Sequence, residues 1–330
     1  MRLLVLGGTV FLGRHLVAEA LERGYQVTLF HRGQHNPELF PAAERIRGDR
    51  TLDLSALRGR EFDAVVDTCG YVPRHVAAAA QLLADSVGHY TFISTCSVYA
   101  APQPGADEDA PVGVLTDPTQ EQVTGETYGP LKFLCEQAAF QAMPGRVLVL
   151  RPGLIVGPHD PSDRFTYWVH RIAQGDEVLA PGRPERPVQL IDARDLAAWI
   201  LDLIEGRVTG SFNATGPNYP LTMQAVLHTC RSVSGSDAAF TWVPEAFLLA
   251  HGVVPWSELP LWIPEGGPAL LELSIGKALA AGLRCRPLGA TVGDTLAWDR
   301  TLPPDAPRHA GLAGEREAEL LALWHGQESG

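Results

Sequence analysis

An α/β fold is predicted, a doubly wound parallel sheet joined to a smaller, interleaved C-terminal α/β part, and three features of the chain predict it. Up to Pro152, short apolar runs alternate with stretches of helical period, the pattern of parallel strands covered by helices on both faces. The first run, residues 3–6, stops at Gly7-Gly8, and a helical pattern follows at once. After Pro152 the alternation weakens and returns as strand, helix, strand across residues 187–213, which threads the second part through the first.

Taken in order, Leu12, Leu16, Ala20 and Leu21 mark the apolar face of a helix that ends at Gly24, a glycine stop. Residues 25–30, 62–67 and 90–95 read as strands, with an alanine-rich helix at 75–87 before the last of them. That helix is apolar over much of its circumference, which burial within one chain and a homodimer interface both explain. Residues 101–127 keep no period. Pro102, Pro104, Pro111 and Pro118, with Asp107, Glu108 and Asp109, mark a long loop of the kind that is functional or mobile in a compact domain. A helix starts at Tyr128 and runs to about Met143, and a strand at 146–150 is closed by Arg151-Pro152. Strands at 187–191 and 210–213 flank a helix at 192–205, where Asp192 and Asp195 read as an N-cap and its first-turn partner. Residues 217–261 and the tail after Leu302 are mixed and proline-rich, with a docking helix at 315–324.

A chain of 330 residues suggests about two domains, and 45% hydrophobic content is ordinary for a globular protein. The formal charge of -12 argues against a surface built for phosphate backbones, so no nucleic-acid partner is expected. No run of about 18 apolar residues is present to cross a membrane, and the N-terminal apolar run is too short for a secretion signal. Five cysteines, Cys69, Cys96, Cys135, Cys230 and Cys285, are odd in number and never spaced C-x-x-C. Reduced thiols and a cytoplasmic location are expected. His159, Asp160 and Asp163 read as a polar loop, and no metal site is expected.

The stretch Gly7-Gly8-Thr9-Val10-Phe11-Leu12-Gly13 lies between a strand and a helix. Glycines there let backbone amides approach a pyrophosphate, which the helix N-terminus stabilises with its partial positive charge. This identifies a Rossmann-type dinucleotide-binding domain, assigned to residues 1–157 and 188–216, with a substrate-binding domain at 158–187 and 217–330. His31 and Arg32 follow the second strand where an acidic residue would hold a ribose 2'-hydroxyl; an arginine there suits a 2'-phosphate, so NADP is favoured over NAD. Asp49 is either a partner of the adenine amino group or an ordinary loop residue. Cys69 and Gly70, just past the strand at 62–67, complete this set of expected cofactor contacts.

Tyr128 and Lys132 stand four apart where a helix begins, so both leave one face of its first turns. The chain holds only two lysines, Lys132 and Lys277, among 26 basic residues. A free phenol has a pKa of about 10 and is a poor acid or base at neutral pH; a nearby ammonium favours the phenolate.

Together these motifs resemble an extended or atypical short-chain dehydrogenase/reductase of the NAD-dependent epimerase/dehydratase family, over roughly residues 1–216. The resemblance rests on the glycine turn and on Phe92-Ile93-Ser94-Thr95-Cys96-Ser97-Val98-Tyr99, Asp107-Glu108-Asp109-Ala110-Pro111, the Tyr128/Lys132 pair, Arg151-Pro152-Gly153-Leu154-Ile155-Val156-Gly157-Pro158 and Ile191-Asp192-Ala193-Arg194-Asp195-Leu196. It implies that Thr95 bonds the reacting oxygen, that Tyr128 donates or accepts the proton, and that Lys132 holds the nicotinamide ribose while lowering the tyrosine's pKa. It also implies that Pro152 and Ile155 pack the nicotinamide. Val10 departs from the third glycine of many relatives, as in the atypical branch. Cys96 and Ser97 replace the Asp and Glu of sugar-nucleotide dehydratases, which disfavours water elimination. Val188 stands where many nucleotide-sugar enzymes carry an arginine, with Arg183 and Arg186 near enough in sequence to compensate. The expected function is an NAD(P)-dependent oxidoreductase or epimerase acting at a carbinol carbon of a sugar or nucleotide sugar. The alternatives are an NADPH-dependent ketone reductase and an RNA-binding member with vestigial catalysis.

Overall fold

The computed structural model describes residues 1–117, 119–303 and 305–328. Pro118, one of the four prolines that mark the long loop, lies outside the described residues. The chain begins with β1 (Arg2–Leu6), α1 (Leu12–Glu22), β2 (Gln26–His31), β3 (Glu44–Arg47), β4 (Phe62–Asp67), α2 (Pro73–Leu83), β5 (Val87–Ile93), α3 (Tyr128–Ala142) and β6 (Val147–Pro152). It continues through β7 (Leu154–Val156), α4 (Thr166–Ala173), β8 (Glu177–Pro181), β9 (Leu190–Asp192), α5 (Ala193–Glu205) and β10 (Gly210–Ala214). The last elements are α6 (Met223–Ser234), β11 (Ala239–Val243), α7 (Glu245–Ala250), α8 (Gly276–Ala280), α9 (Leu288–Asp299) and α10 (Gly314–Glu328).

Seven of the strands form one parallel sheet in the order β10-β6-β5-β4-β1-β2-β3, the doubly wound fold read from the sequence. Period-2 alternation explains its two faces. Leu3, Val5, Ala64, Val66, Leu148 and Leu150 pack on α1 and α5, whereas Leu4, Val65, Phe92, Val147 and Val149 pack on α2 and α3. The strand order reverses between β1 and β4, where the crevice of such a sheet binds ligands. Register makes this crevice level: Leu6 is opposite both Phe30 and Asp67, and Asp67 is opposite Phe92. The loops after β1, β2, β4 and β5 therefore leave the sheet side by side.

The helix expected at 75–87 is α2, shifted toward the N-terminus: Pro73 sits in its first turn, and Val87 already belongs to β5. Proline is pre-organised for a helix start and has no N–H to leave unpaired there. The strand expected near 187–191 is β9, which pairs with β7 rather than with the main sheet. A separate apolar cluster around Trp168, Trp262, Leu227 and Leu320 gathers α4, α6, α9 and α10 with the β8–β11 pair. No helix among the described residues is long and apolar enough to cross a membrane.

Candidate active site

A cavity of about 600 Å³ opens at the C-terminal ends of β1, β2, β4, β5 and β6. Gly7, Thr9, Val10, Phe11, Leu12 and Gly13 form one wall. Gly7 and Gly8 have φ of 101° and 103°, and a Cβ on Gly7 would meet the Thr68 hydroxyl at 2.5 Å. A Cβ on Gly13 would meet the Gly8 backbone at 2.7 Å, so the helix begins pressed against the turn. The N-cap of α1, Phe11, supplies no side-chain hydrogen bond, and no acidic residue stands in the first turn. Its free amides and positive helix end therefore face the cavity uncompensated, as a pyrophosphate requires. Val10, the departure from a third glycine, is 45% exposed and crowds nothing in the core. These features fit a dinucleotide.

His31, Arg32 and Asp49 line the end of the cavity beyond the turn. His31 accepts from the Gly33 amide through Nδ1 at 2.9 Å, and its Nε2 is buried with no partner. Arg32 is exposed and near enough to Asp49 to help lower its carboxyl, chiefly held down by hydrogen bonds from Thr51. Sequence reading missed Arg50, which also lines the cavity. It grips the buried Asp67 carboxylate with two nitrogens, one at 2.8 Å, and donates to the His75 carbonyl. Burial alone would raise the Asp67 carboxyl; Arg50 and the Tyr90 hydroxyl hold it below the usual range. Asp67 in turn accepts from the Cys69 amide at 3.2 Å and so shapes the turn through Gly70.

Gly70 is buried against Val76 and Phe92, and its carbonyl accepts from Lys132 Nζ at 2.7 Å. A second bond from Nζ reaches the Ile93 carbonyl at 2.6 Å, and the ammonium lies 4.2 Å from the Phe92 ring centroid. Lys132 is 3% exposed, and burial pulls its pKa down to about 8. Two of its three N–H groups are committed to carbonyls, which leaves one for the cavity.

Tyr128 lines the same cavity, with the ring of Tyr71 6.5 Å away, and Thr95 lines it as well. Burial raises the Tyr128 pKa, while Thr95 and the charge of Arg164 pull it back. Thr95 is held in turn: its Oγ1 accepts from the Ser97 amide at 3.1 Å. Pro152 and Ile155 form the wall opposite the glycine turn, with Pro161 beside them. Of the residues picked out from sequence, all but Gly70 line the cavity; Gly70 acts behind the wall through its carbonyl.

Below the site, one buried polar network explains the other marker stretches. Glu136, one turn after Lys132, accepts from Arg151 Nε at 3.0 Å and Nη2 at 2.8 Å and from the Ser94 hydroxyl. Arg151 also donates to the Tyr99 hydroxyl and the Glu108 carbonyl, both at 3.0 Å, and Tyr99 donates to Asn213 Oδ1 at 2.6 Å. Burial alone would lower the guanidinium's pKa, but Glu136 raises it overall. Paired charges out of water need hydrogen bonds on both partners, and here both Glu136 oxygens accept while three Arg151 nitrogens donate. Asp192 caps α5 at the Arg194 amide, and Asp195 takes the Arg286 amide and guanidinium. Arg186 is occupied by Glu245 and the Ile263 carbonyl, and Arg183 pairs with Glu265 at the surface, so neither stands free to replace an arginine at Val188. Among the described residues no group of three His, Cys, Asp or Glu is placed to hold a metal ion.

Lys132 makes one expectation testable here. A neutral amine keeps two N–H groups, both spent on Gly70 and Ile93, so the donor toward the cavity disappears as pH rises through about 8. Dinucleotide affinity measured by calorimetry is expected to fall across that interval, and Lys132→Met to bind more weakly with no such step. A pH-independent affinity in the wild type would remove this role for the ammonium.

The sequence profile of the NAD dependent epimerase/dehydratase family matches residues 3–214. A curated relative, the chloroplast stem-loop binding protein of 41 kDa b of Arabidopsis thaliana, is 24% identical over 259 residues, 71% of this chain. The aligned part spans 63% of that relative's length. The UDP-Glc/GlcNAc 4-epimerase of Campylobacter jejuni superposes with a TM-score of 0.70 at 15% identity, covering 91% of this chain and 99% of its own. The UDP-glucuronic acid 4-epimerase of Bacillus cereus, solved with NAD, superposes with a TM-score of 0.66 at 17% identity, covering 92% and 97%. At these identities the two structures establish the shared fold.

Proposed function

This chain belongs to the NAD dependent epimerase/dehydratase family, as an enzyme of the extended short-chain dehydrogenase/reductase type, and from that premise we propose that it oxidises and reduces a carbinol carbon of a sugar or nucleotide sugar with NADP(H) in preference to NAD(H). The observation that supports this most is the meeting of Thr95, Tyr128 and Lys132 in one cavity with an uncapped helix N-terminus. The bound dinucleotide supplies the hydride chemistry. Tyr128 gives a proton to the substrate oxygen in reduction and takes it in oxidation, while Thr95 orients that oxygen. Lys132 donates its remaining N–H to the ribose of the cofactor, and Pro152, Ile155 and Pro161 exclude water from the reacting face. The likeness to sugar-nucleotide epimerases supports a sugar substrate, and the position of Cys96 argues for redox chemistry over dehydration: its thiol is buried, donates to the Arg151 carbonyl, and is pushed up by burial. The substrate-side lobe, in this reading, is the cluster built on α4, α6 and α9.

NADP preference rests on Arg32, exposed at the cavity's end, with no acidic residue at the tip of β2. Arg32→Gln is expected to weaken NADP by about tenfold or more, the loss of charge-assisted bonds to a phosphate, and to leave NAD nearly unchanged. Calorimetry with both dinucleotides decides it. Equal weakening of the two would refute the 2'-phosphate role, and wild-type protein that binds neither would remove the whole reading.

A second reading, recognition of a nucleic-acid stem-loop, is favoured by the name of the Arabidopsis relative and opposed by the net charge of -12. Retention of a structured RNA that declines steeply with salt would support it.

A further inference from the structure

A buried ion pair joins two sides of the cofactor cavity. Arg50 follows Asp49 in the loop after β3 and lines the cavity with a side chain 8% exposed, while Asp67, the last residue of β4, is fully buried. The carboxylate is saturated. Its Oδ1 accepts from Arg50 Nη1 and the Cys69 amide, and its Oδ2 accepts from Arg50 Nη2 and the Tyr90 hydroxyl, both at 2.8 Å. Arg50 Nη2 also donates to the His75 carbonyl, in the first turn of α2, at 3.2 Å. The loop after β3, the end of β4 and the start of α2 thus meet at one guanidinium.

Taking two charges out of water is costly, and a well-packed apolar pair of similar volume is commonly as stable or more so. Stability alone is therefore a poor reason for this pair, and its surroundings supply a better one. Gly70 packs against the carboxylate, where a Cβ would come within 3.2 Å of Asp67 Oδ2 and 2.7 Å of the Phe92 ring. It lies beyond the end of β4, outside the sheet ladder, and Asp67 anchors the turn that carries it by holding the Cys69 amide at 3.2 Å. The Gly70 carbonyl is in turn one of the two that hold Lys132 Nζ, the other being that of Ile93 at the end of β5. From guanidinium to ammonium every step is a hydrogen bond or a peptide link: Arg50 to Asp67, Asp67 to the Cys69 amide, Cys69 to Gly70, and Gly70 to Lys132.

Resting on the reading of Lys132 as the residue that holds the cofactor's ribose, we propose that Arg50 and Asp67 are positioning residues: their ion pair sets the Gly70 carbonyl, and through it the place at which Lys132 presents its remaining N–H to the dinucleotide. The loop after β3 and the lysine of α3 then belong to one rigid device. A direct bond from Arg50 to the cofactor is the competing account, because its Nε is buried without a partner.

Arg50→Met combined with Asp67→Leu replaces the two charges by apolar groups, the exchange that buried ion pairs tolerate best. Calorimetry compares this double variant with wild type on ADP and on whichever of NADPH and NADH the wild type binds more tightly. The dinucleotide is expected to bind about tenfold or more weakly, the loss of a charge-assisted hydrogen bond, and ADP, which lacks the nicotinamide ribose, as in wild type. Equal weakening of ADP and dinucleotide would overturn the inference in favour of direct contact by Arg50, and an unchanged dinucleotide affinity would overturn it in favour of a purely structural pair. Asp67→Asn, close to isosteric, carries the same comparison if the double variant does not fold, and it adds a pH readout. With the anion gone and the guanidinium left, the ammonium of Lys132 is less favoured, so the fall in dinucleotide affinity is expected below the wild-type pH of about 8. A lowered unfolding midpoint with affinity and pH step both unchanged would again overturn the inference. Arg50→Lys, which keeps a cation on Asp67, is expected to lose less affinity than the double variant. Wild-type protein that binds no dinucleotide would remove the reading of Lys132 and this inference together.

Discussion

Tyr128→Phe is expected to lower turnover by about 10²- to 10⁴-fold, the contribution of a positioned proton donor, while dinucleotide affinity and the unfolding midpoint stay close to wild type. The substitution removes one oxygen from a half-buried ring and leaves the ring in place beside Tyr71. Burial holds the phenol above its ordinary pKa despite Thr95 and Arg164, so at neutral pH Tyr128 carries its proton. Reduction uses that proton directly, and oxidation needs it gone. The oxidation rate should therefore climb with pH, and more so than the reduction rate. Single-turnover measurements in both directions check the loss, and a variant that turns over as fast as wild type in either direction would exclude Tyr128 from catalysis.

Gly129→Ala is expected to be nearly as damaging without touching a reactive atom. A Cβ at this position would lie 1.9 Å from the Ser97 carbonyl oxygen and 2.8 Å from its carbon, both backbone atoms that have nowhere to go. Helix α3 must move away from the turn at 95–98, and that turn carries Thr95. Misplacement by an ångström costs about 10² in rate, and overpacking a core contact costs about 1–3 kcal/mol in stability. A lowered unfolding midpoint together with a fall in turnover is the expected result. Gly125→Ala is the control, since a Cβ there meets nothing within 4 Å. Wild-type rate and midpoint in Gly129→Ala would mean that the Thr95–Tyr128 approach does not depend on this contact.

Gly129 also shows the limit of a motif. The spacing of Tyr128 and Lys132 places both on one helix face, and both do line one cavity. Nothing in that spacing says that the glycine between them lets the helix rest on another segment's carbonyl. Nor does it say that Lys132 turns inward to two carbonyls.

Local patterns by themselves determined the parallel sheet, the glycine turn and helix after β1, the start of α3 at Tyr128 and the capping role of Asp192. Each depends on neighbours within a few residues, where period, φ preference and capping chemistry act directly. The lobe built on α4, α6 and α9 stayed unread because its helices are separated by long, proline-rich irregular segments and bury their apolar faces against one another far apart in the chain, so no regular alternation of elements declares it. Only the tertiary structure decided the Arg50–Asp67 grip and the Glu136–Arg151–Tyr99 network. Those are pairings between groups far apart in the chain, and buried charge selects its partner by three-dimensional distance and desolvation, which no spacing in a single sequence records.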